Sequence, residues 1–549
     1  MKNVFYLWIT LVCVCFSCGD FLEEYSQNSS YVESVDDLDE LLLGGGLVER
    51  SGSGISSTGG LGFLHILADE SQEVAIPLSG LGTTWDWQTM YGFWLWRENP
   101  FINYAGTTRT DGEWALFYKR ISVLNSILEE SANVSIGKEE EKSQLSRIVG
   151  ECYYLRAWNY FMLANLYGLP YDKNNLNDGG SVTLKLDATI EDTKFSRANT
   201  GDVYQQMVTD LKQAIGALKA GTVLGSKLHA TEAAAWALLS RVYLYMEEYT
   251  LAVQAADSVK GYKLYDLVNN YTPGSGEAFL TTANPEVIHV QGKQMVSLVH
   301  QGTGYAYSRS GSFVDENGNV VKKTWYEGRV FGDSYCVSDE LAQLFDENDA
   351  RYSAYFACSF GKNYLVARKY RGDLNKVIYE TDPVTKDTVP PVVKGNDFNE
   401  SCAIRYAEVI LNKAEAQACA GDAGAVETMR TFLATRYYEV PEIPASGNEL
   451  IEFIRQERYK ELCFEGHRWF DLRRYAVNTV YKQAISITHE WHTKLAAYEV
   501  VAEGYNTLKP YSDEVKGDWV LPVPEDVIDY CFPALTNFER TKGVVETKY

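Results

Sequence analysis

The chain has 549 residues, of which 46% are hydrophobic and 13% aromatic, and its formal net charge at pH 7 is −24. A chain of this length and composition can bury a large core. Its acidity argues against nucleic acid as a partner and against docking on anionic lipid through basic patches.

The N-terminus has the pattern of an export signal. Lys2 precedes the apolar stretch VFYLWITLVCVCF at residues 4–16, which is shorter than the roughly 20 apolar residues that span a bilayer. Small residues flank Cys18 in a pattern similar to the lipobox of bacterial lipoproteins, in which the signal is cut before the cysteine and the cysteine is acylated. The sequence predicts a signal peptide over residues 1–17 and lipidation at Cys18. An ordinary signal peptide with an incidental cysteine is the alternative.

The remaining cysteines form no evident framework. Seven of the 10 cysteines follow Cys18, and none of them forms a C-x-x-C pair. An odd number at irregular spacing is a poor disulfide framework and a poor zinc site. Several lie in apolar helical stretches, which is typical of small buried side chains. A single disulfide bond among them is the alternative.

Helical periodicity occurs in separate blocks along the chain. In the first block, Trp114, Phe117 and Ile121 recur at the spacing of one helix face. The predicted helical blocks are 112–130, 147–170, 201–218, 231–260 and 402–436, and the last continues into the charged segment 454–475.

Two of these blocks predict helical hairpins. Small residues such as Ala237, Ala252 and Ala256 lie where two antiparallel helices would touch, and residues 406–430 repeat this logic with a turn at Gly421 and Gly424. The pattern resembles tetratricopeptide units, which bury their apolar faces by stacking on neighbours. We therefore expect a mostly α fold in which tetratricopeptide-like hairpins form one body, with long loops and minor β content.

Between the blocks lie stretches rich in Gly, Asn, Asp and aromatic residues, at 44–60, 171–180, 261–400 and 484–517. Loops of this length in a folded chain are usually functional or contain small strands. The segments EVIHVQG and NGNVVKKTW indicate the minor β content. Function is expected in these loops, positioned by the helical scaffold.

The loops also carry six of the 12 tryptophans. TWDWQTMYGFWLWRENP contains two W-x-W pairs, and GYAYSRS contains a Y-x-Y pair. In an extended segment, residues i and i+2 point to one side, so each pair predicts a flat aromatic shelf suited to sugar rings. A small inner core beneath the loops is the alternative. The predicted ligand-binding residues are Trp85, Trp87, Trp94, Trp96, Arg97, Tyr305, Tyr307 and Trp325.

No catalytic constellation is evident. The sequence has no G-x-S-x-G elbow, no phosphate-binding P-loop and no H-E-x-x-H motif. His489 and His492 have a spacing that suits a metal only with further ligands, which are not nearby in sequence. The segment 454–475 surrounds His467 with carboxylates and arginines, and we interpret it as a structural joint instead of an active site. Its glutamates at i,i+4 spacing have Arg458 and Arg468 available as partners.

Several separated segments together resemble the SusD/RagB family of outer-membrane, nutrient-binding lipoproteins. They follow the family's order over nearly the whole chain. They are CGDFLEE at 18–24, WALFYKRISVLN at 114–125, GECYYLRAWNYFMLANLYGLP at 150–170, RYAEVILNKAE at 405–415, ERYKELCFEGHRWFDLRR at 457–474 and WVLPVPEDVIDYCFPALTNF at 519–538. Glu427 departs from the family pattern, which usually places Asn there.

The resemblance implies a non-catalytic lipoprotein without a cofactor, anchored in the outer membrane and facing the cell exterior. It implies one SusD-like domain over residues 18–549, with a helical scaffold at about 110–260 and 402–477 and ligand loops at about 44–105 and 261–400. The implied partners are a glycan and a SusC-type TonB-dependent transporter that receives it. Alternatives are a peptide-binding member of the family, a lipid-anchored α-helical glycoside hydrolase and a tetratricopeptide adaptor.

Overall fold

The structure is a computed structural model of the chain. It describes residues 32–47, 61–74, 85–103, 106–108, 112–189, 191–273, 278–291, 299–300, 307–314, 320–327, 335–358, 365–370, 380–381, 388–389, 402–495 and 499–549. Only the backbone is described at 85–89, 307–314, 320–327, 357–358, 380–381, 388–389, 402, 493–495 and 499–500. Cys18 and the predicted signal peptide lie outside the described residues, and lipidation at Cys18 stays a prediction.

Helices are the predominant secondary structure of the described chain. They are α1 (Val35–Leu41), α2 (Leu64–Leu67), α3 (Trp85–Trp94), α4 (Gly112–Glu130), α5 (Glu139–Tyr167), α6 (Thr200–Ala220), α7 (Glu232–Tyr245), α8 (Tyr249–Ser258), α9 (Leu267–Asn270), α10 (Asp339–Ala342), α11 (Arg351–Tyr355), α12 (Tyr406–Cys419), α13 (Gly424–Leu433), α14 (Gly447–Leu462), α15 (Arg468–Val477) and α16 (Glu525–Cys531). The described residues also include a π-helix at Leu42–Gly46 and 3-10 turns at Leu61–Phe63 and Lys516–Trp519.

The strands are short and scattered. They are β1 (Ser71–Glu73), β2 (Val287–Gln291), β3 (Tyr307–Val314), β4 (Val320–Glu327), β5 (Tyr335–Val337), β6 (Phe356–Cys358), β7 (Leu365–Ala367), β8 (Glu380–Thr381), β9 (Thr388–Val389), β10 (Cys402–Arg405), β11 (Ile487–Leu495), β12 (Glu499–Leu508) and β13 (Val544–Lys548). All pairings among them are antiparallel, as β1–β5, β2–β10, β3–β4, β6–β7, β8–β9 and the three-stranded sheet β11–β12–β13. The predicted minor β content is confirmed.

The scaffold helices follow the predicted blocks. Helix α4 spans the predicted 112–130, α6 differs from its block by one or two residues at each end, and α5 begins earlier than predicted, at Glu139. Three consecutive glutamates open α5, where acidic residues favour the positive end of the helix dipole. The second half of α5 is buried along its whole circumference, which makes it the central helix of the body.

Both predicted hairpins are present. Helices α7 and α8 pack against each other, and α12 packs against α8, α13 and α14. Ala237, Ala252 and Ala256 are buried as predicted, and Gly421 adopts a positive φ of 73° in the turn between α12 and α13. Small side chains at the contact let the helices approach closely, so the hairpins stack into one predominantly helical body.

The loop regions are fastened to this body by short strands. Strand β1 pairs with β5, and β10, which leads directly into α12, pairs with β2. Strand β11 lies next to β1, so the early loop region contacts the sheet near the C-terminus. Within the described residues, no helix is both long and apolar enough to cross a membrane.

Candidate functional site

The Trp-rich segment differs in conformation from the prediction. Residues Trp85–Trp94 form helix α3, not an extended strand, and the chain leaves this helix through a turn in which Trp96 has a positive φ of 48°. Residues i and i+2 do not share a face of a helix. The predicted geometry of the shelf is therefore wrong for the W-x-W pair at Trp85 and Trp87.

The second W-x-W pair surrounds a histidine. The Trp94 and His489 rings stack with centroids 3.7 Å apart and planes 1° apart, and the Trp96 ring stacks on His489 at 4.1 Å and 16°. The indole N–H of Trp94 donates to the carbonyl of Glu490 at 3.0 Å, and that of Trp96 donates to the carbonyl of Leu67 at 3.1 Å. Both indoles are thus fixed by stacking and by hydrogen bonds to the backbone.

This stack is part of the core. Trp94 and Trp96 are each only 1% exposed, so neither ring offers a face to a ligand, and the prediction that they form an exposed shelf is wrong. The two nitrogens of His489 lie 2.8 Å from the Trp94 carbonyl oxygen and 3.0 Å from that of Ala68. Burial lowers the pKa of His489 to about 4, against the opposing effect of these two carbonyls. The stack immobilises the end of the Trp-rich segment on strand β11.

Arg97 directly follows the stack and is exposed. Its guanidinium lies over the Tyr91 ring, 4.6 Å from the ring centroid, a cation–π contact that orients it at the surface. Of the predicted ligand residues whose side chains the structure describes, Arg97 is the one that reaches solvent.

The other predicted ligand residues are described in the backbone alone or not at all. Trp85 and Trp87 lie at the start of α3. Tyr307 and Trp325 lie in the β3–β4 hairpin, where Trp325 pairs with Arg309 and is therefore a diagonal neighbour of Tyr307. Tyr305 lies outside the described residues. The assignment of ligand contact to these residues stays a prediction.

His489 and His492 do not converge on one point. The Glu73 carboxylate accepts a hydrogen bond from the backbone N–H of His492 at 3.0 Å and lies 3.1 Å from Nδ1 of the same histidine. His489 faces two backbone carbonyls instead. Among the described residues, no group of three or more His, Cys, Asp or Glu side chains could hold a metal ion.

The charged segment 454–475 forms the centre of a buried ion network. The Glu461 carboxylate, which has no exposed surface, accepts from Arg405 at 2.6 Å and from Arg436 at 2.9 Å. The hydroxyl of Tyr355 also donates to it, at 3.0 Å. Both arginines also bind Glu286, at 2.8 and 2.6 Å.

The network extends to Glu457 and Glu465. Glu457 binds Arg351 at 2.6 Å, and Glu465 binds Arg405 and Lys369, each at 2.8 Å. Desolvation opposes ionisation, but the arginines hold the pKa of Glu461 well below its usual range. A carboxylate that is held ionised among cations, as Glu461 is, is poorly suited to act as a general acid.

The partners differ from those that the sequence predicted. Arg458 binds Asp471 at 2.8 Å, and Arg468 binds Asp69 at 2.6 Å, so neither pairs with the glutamates of α14. His467 is buried, and desolvation together with nearby arginines holds its pKa well below the usual range. The segment is a structural joint that connects α14 and α15 to the hairpins and to the loops.

One open cavity lies where a loop region meets this joint. It has a volume of about 440 Å³, and its described lining consists of Asp339, Ala342, Gln343, Phe345, Asp346, Glu347 and Tyr352. These residues come from α10, from the turn after it and from α11. The sequence reasoning placed the segment in a ligand-loop region but named none of these residues. Five acidic residues beside two aromatic residues in DELAQLFDENDARY, at 339–352, were the available signal.

Comparison with known proteins decides the family. A model described as "Starch-binding associating with outer membrane" matches residues 81–244, and a model described as "SusD family" matches residues 312–537. The two together match more than two thirds of the chain. The chain belongs to the SusD/RagB family. Both models match part of the scaffold and part of the loops, so the match is not limited to the helical hairpins.

Relatives of this SusD-like protein cover most of its length. SusD-like protein P38 of Formosa agariphila is 24% identical over 395 residues, which are 66% of this chain and 71% of the relative. A crystal structure of a SusD superfamily protein from Bacteroides thetaiotaomicron superposes with a TM-score of 0.63 at 20% identity and covers 92% of this chain and 99% of its own. A structure named "Laminarin binding SusD-like protein" gives a TM-score of 0.59 at 20% identity, with 92% and 99% coverage.

These matches confirm the predicted fold, a mostly helical single body with minor β content. SusD family proteins are non-catalytic binding proteins, and this chain is one of them. By its family it is a SusD-like glycan-binding protein associated with the outer membrane.

Proposed function

We propose that this SusD-like protein captures a polysaccharide or oligosaccharide at the cell surface through the segment around α3 and the β3–β4 hairpin, and passes it to a transporter. Trp85, Trp87, Tyr305, Tyr307 and Trp325 supply aromatic surface for sugar rings, and Arg97 supplies hydrogen bonds to their hydroxyl groups. Aromatic faces with a few placed polar groups are the usual means by which a protein holds a sugar.

The stack of Trp94, His489 and Trp96 is the observation that carries this proposal. It fixes the C-terminal end of α3 to β11, while Arg97, one residue later, stays exposed. A rigid base lowers the entropy that a binding loop loses when a ligand orders it. The buried pair of tryptophans therefore holds in place the end of α3 from which Arg97 follows.

Affinity electrophoresis in native gels tests this function. The gels contain amylopectin or laminarin, because the family description mentions starch and one similar structure is named for laminarin. Gels with alginate supply an anionic polysaccharide for comparison. We expect wild type to be retarded by a neutral polysaccharide. We expect a Trp85→Ala/Trp87→Ala double variant to lose roughly tenfold or more in affinity. Retardation of the double variant equal to wild type contradicts the assigned site.

A matched control replaces a tryptophan outside the proposed site. Trp236 lies on the scaffold helix α7 and is partly buried, with its indole N–H donating to Glu232 at 3.2 Å. Trp236→Phe is expected to retain wild-type retardation. Absence of retardation for wild type itself, with binding of a basic peptide instead, favours the peptide-binding alternative.

The proposed route of delivery has two parts. Acylation of Cys18 anchors the chain in the outer membrane, and a SusC-type TonB-dependent barrel receives the ligand beneath it. The family's association with the outer membrane supports both parts. Mass spectrometry of the N-terminal peptide tests the anchor, with Cys18→Ala expected in the soluble fraction. Co-purification of a TonB-dependent barrel with the tagged protein from detergent extracts tests the partner.

A further inference from the structure

The cavity beside α10 and α11 has the size and composition of a ligand site. Its volume of about 440 Å³ falls within the roughly 300–1,000 Å³ typical of small-molecule sites. Tyr352, which lies at the edge of the cavity, is 41% exposed, whereas Phe345 is only 8% exposed. The cavity thus combines one accessible aromatic ring with a buried aromatic floor.

The floor is rigid because it rests on the buried joint. The Phe356 ring contacts Tyr352 edge-on at 6.0 Å and Phe345 edge-on at 5.1 Å between centroids. The Lys460 ammonium lies 4.9 Å and the Arg351 guanidinium 5.8 Å from the centroid of Phe345. Arg351 directly precedes Tyr352 in α11 and is held by Asp349 and Glu457. The tyrosine is therefore presented by a helix that the ion network fixes in place.

The polar groups at the rim have bonding capacity left over. Asp339 accepts from the side chain of Gln72 at 3.2 Å, and Asp346 accepts from the backbone of Asn348 at 3.0 Å. The side chains of Gln343 and Glu347 are exposed and make no hydrogen bond or ion pair within the described chain. An amide and a carboxylate together offer both donors and acceptors to hydroxyl groups.

The charge of the rim restricts the ligand. Asp339, Asp346 and Glu347 bring three carboxylates, and the described lining contains no cation. An anionic sugar such as a uronate would be repelled by these carboxylates. An uncharged sugar residue can stack on Tyr352 while its hydroxyl groups bond to Gln343 and Glu347.

We propose that this cavity is a second saccharide subsite, which takes an uncharged sugar residue of the glycan with its ring against Tyr352 and its hydroxyl groups on Gln343 and Glu347. The inference rests on the proposed glycan-binding function and adds a point of contact separate from the α3 segment. Two separated contacts on one long chain increase its overall affinity through effective concentration.

The test compares variants of the full protein in gels that contain laminarin, amylopectin or alginate. We expect Tyr352→Ala and Gln343→Ala each to lower affinity for the retarding neutral polysaccharide by about three- to tenfold. Tyr352→Phe keeps the ring and is expected to stay within about twofold of wild type. Tyr438→Ala removes a neighbouring tyrosine that is 54% exposed and outside the described lining, and it serves as the matched control.

The outcomes separate the subsite from the primary function. Wild-type affinity in both Tyr352→Ala and Gln343→Ala, with loss in the Trp85→Ala/Trp87→Ala variant, overturns the subsite and leaves the function standing. Equal losses in Tyr352→Ala and Tyr438→Ala indicate a general surface effect and also overturn it. Retardation by alginate alone contradicts the charge argument. If no gel retards wild type, the glycan-binding proposal and the subsite fail together.

Discussion

Arg405 and Glu461 form a fully buried ion pair. Their Nη1 and Oε1 atoms are 2.6 Å apart, and neither side chain has any exposed surface. Arg405 ends strand β10 at the entry to the α12–α13 hairpin, and Glu461 lies in the last turn of α14. The pair therefore connects a stacking hairpin to the joint that follows it.

Removal of the Glu461 charge is predicted to destabilise the protein strongly. Glu461→Gln leaves Arg405, Arg436 and Arg351 with one carboxylate fewer in a dry environment. A broken buried pair typically costs about 3–5 kcal/mol, because the remaining charge is uncompensated. Chemical denaturation of the variant measures the change in the free energy of unfolding.

The exposed pair of Glu427 with Arg430 provides the control. Its side chains are 71% and 56% exposed, and pairs at the surface contribute little because solvent screens them. Glu427→Gln is expected to unfold at the wild-type denaturant concentration. Equal stability of the Glu461 and Glu427 variants would contradict the structural role of the network.

The stack around His489 is predicted to support stability through packing. His489→Ala removes the ring between Trp94 and Trp96 and leaves a cavity, with an expected loss of about 2–4 kcal/mol. Thr488→Ala, at the exposed neighbouring position of β11, is expected to cost far less. Thermal unfolding of both variants measures the difference, and a His489 variant as stable as the Thr488 variant would show that the stack does not fix the segment.

Glu70 is predicted to make the protein less stable at alkaline pH. Burial raises its pKa from 4.5 to about 8, and its Oε1 accepts from the backbone N–H of Phe464 at 2.8 Å. Between pH 4.5 and 8 the folded state holds a proton that the unfolded state has released, so stability falls as pH rises through this window. Glu70→Gln keeps the acceptor without the charge.

We therefore expect Glu70→Gln to exceed wild type in unfolding free energy at pH 8.5 by on the order of 2 kcal/mol. The gain should shrink as pH falls towards 4.5, because Glu70 in folded wild type is then protonated and uncharged, like the glutamine of the variant. Glu340→Gln, at an exposed position, is the control and should follow the wild-type pH profile. A constant difference at all pH values would rule out titration of Glu70 as the cause.

Acidification is predicted to destabilise the protein in two overlapping windows. Burial lowers the pKa of His289 and His489 from 6.5 to about 4, so the unfolded state gains protons first as pH falls between these values. Arg474 and Arg455 outweigh burial and lower the pKa of Glu415 from 4.5 to about 2, so its contribution is lost between those values. Above pH 4.5 the two histidines together outweigh the opposing contribution of Glu70, so stability should decrease from about pH 6 to about pH 2. Denaturation curves at successive pH values would reveal a plateau if these groups titrate normally.

Local sequence signals were sufficient to predict much of the scaffold. The helix at Gly112–Glu130 and the α7–α8 hairpin follow from apolar spacing and small residues. The partners of the charged joint were beyond such reasoning, because Arg405 and Arg436 lie 56 and 25 residues from Glu461. A local pattern indicates that a carboxylate will be buried but not which distant cation will meet it.

The prediction for the Trp-rich segment was wrong for a related reason. An alternating W-x-W pattern suggests an extended strand, whereas the chain forms α3 and stacks Trp94 and Trp96 on a histidine about 395 residues later. Gly92 lies on the packed side of this helix, where an added Cβ would be 2.4 Å from the carbonyl oxygen of Pro100. A glycine at this position is required by the close approach of the backbone at Pro100, but a glycine in the sequence does not by itself predict a helix.

One measurement tests the central claim most directly. Purified protein is run in native gels with laminarin, amylopectin or alginate, and release of reducing sugar is assayed on the same polysaccharides. The account predicts retardation by a neutral polysaccharide without release of sugar above the buffer control. Release that depends on the purified protein would contradict the account and identify a glycoside hydrolase.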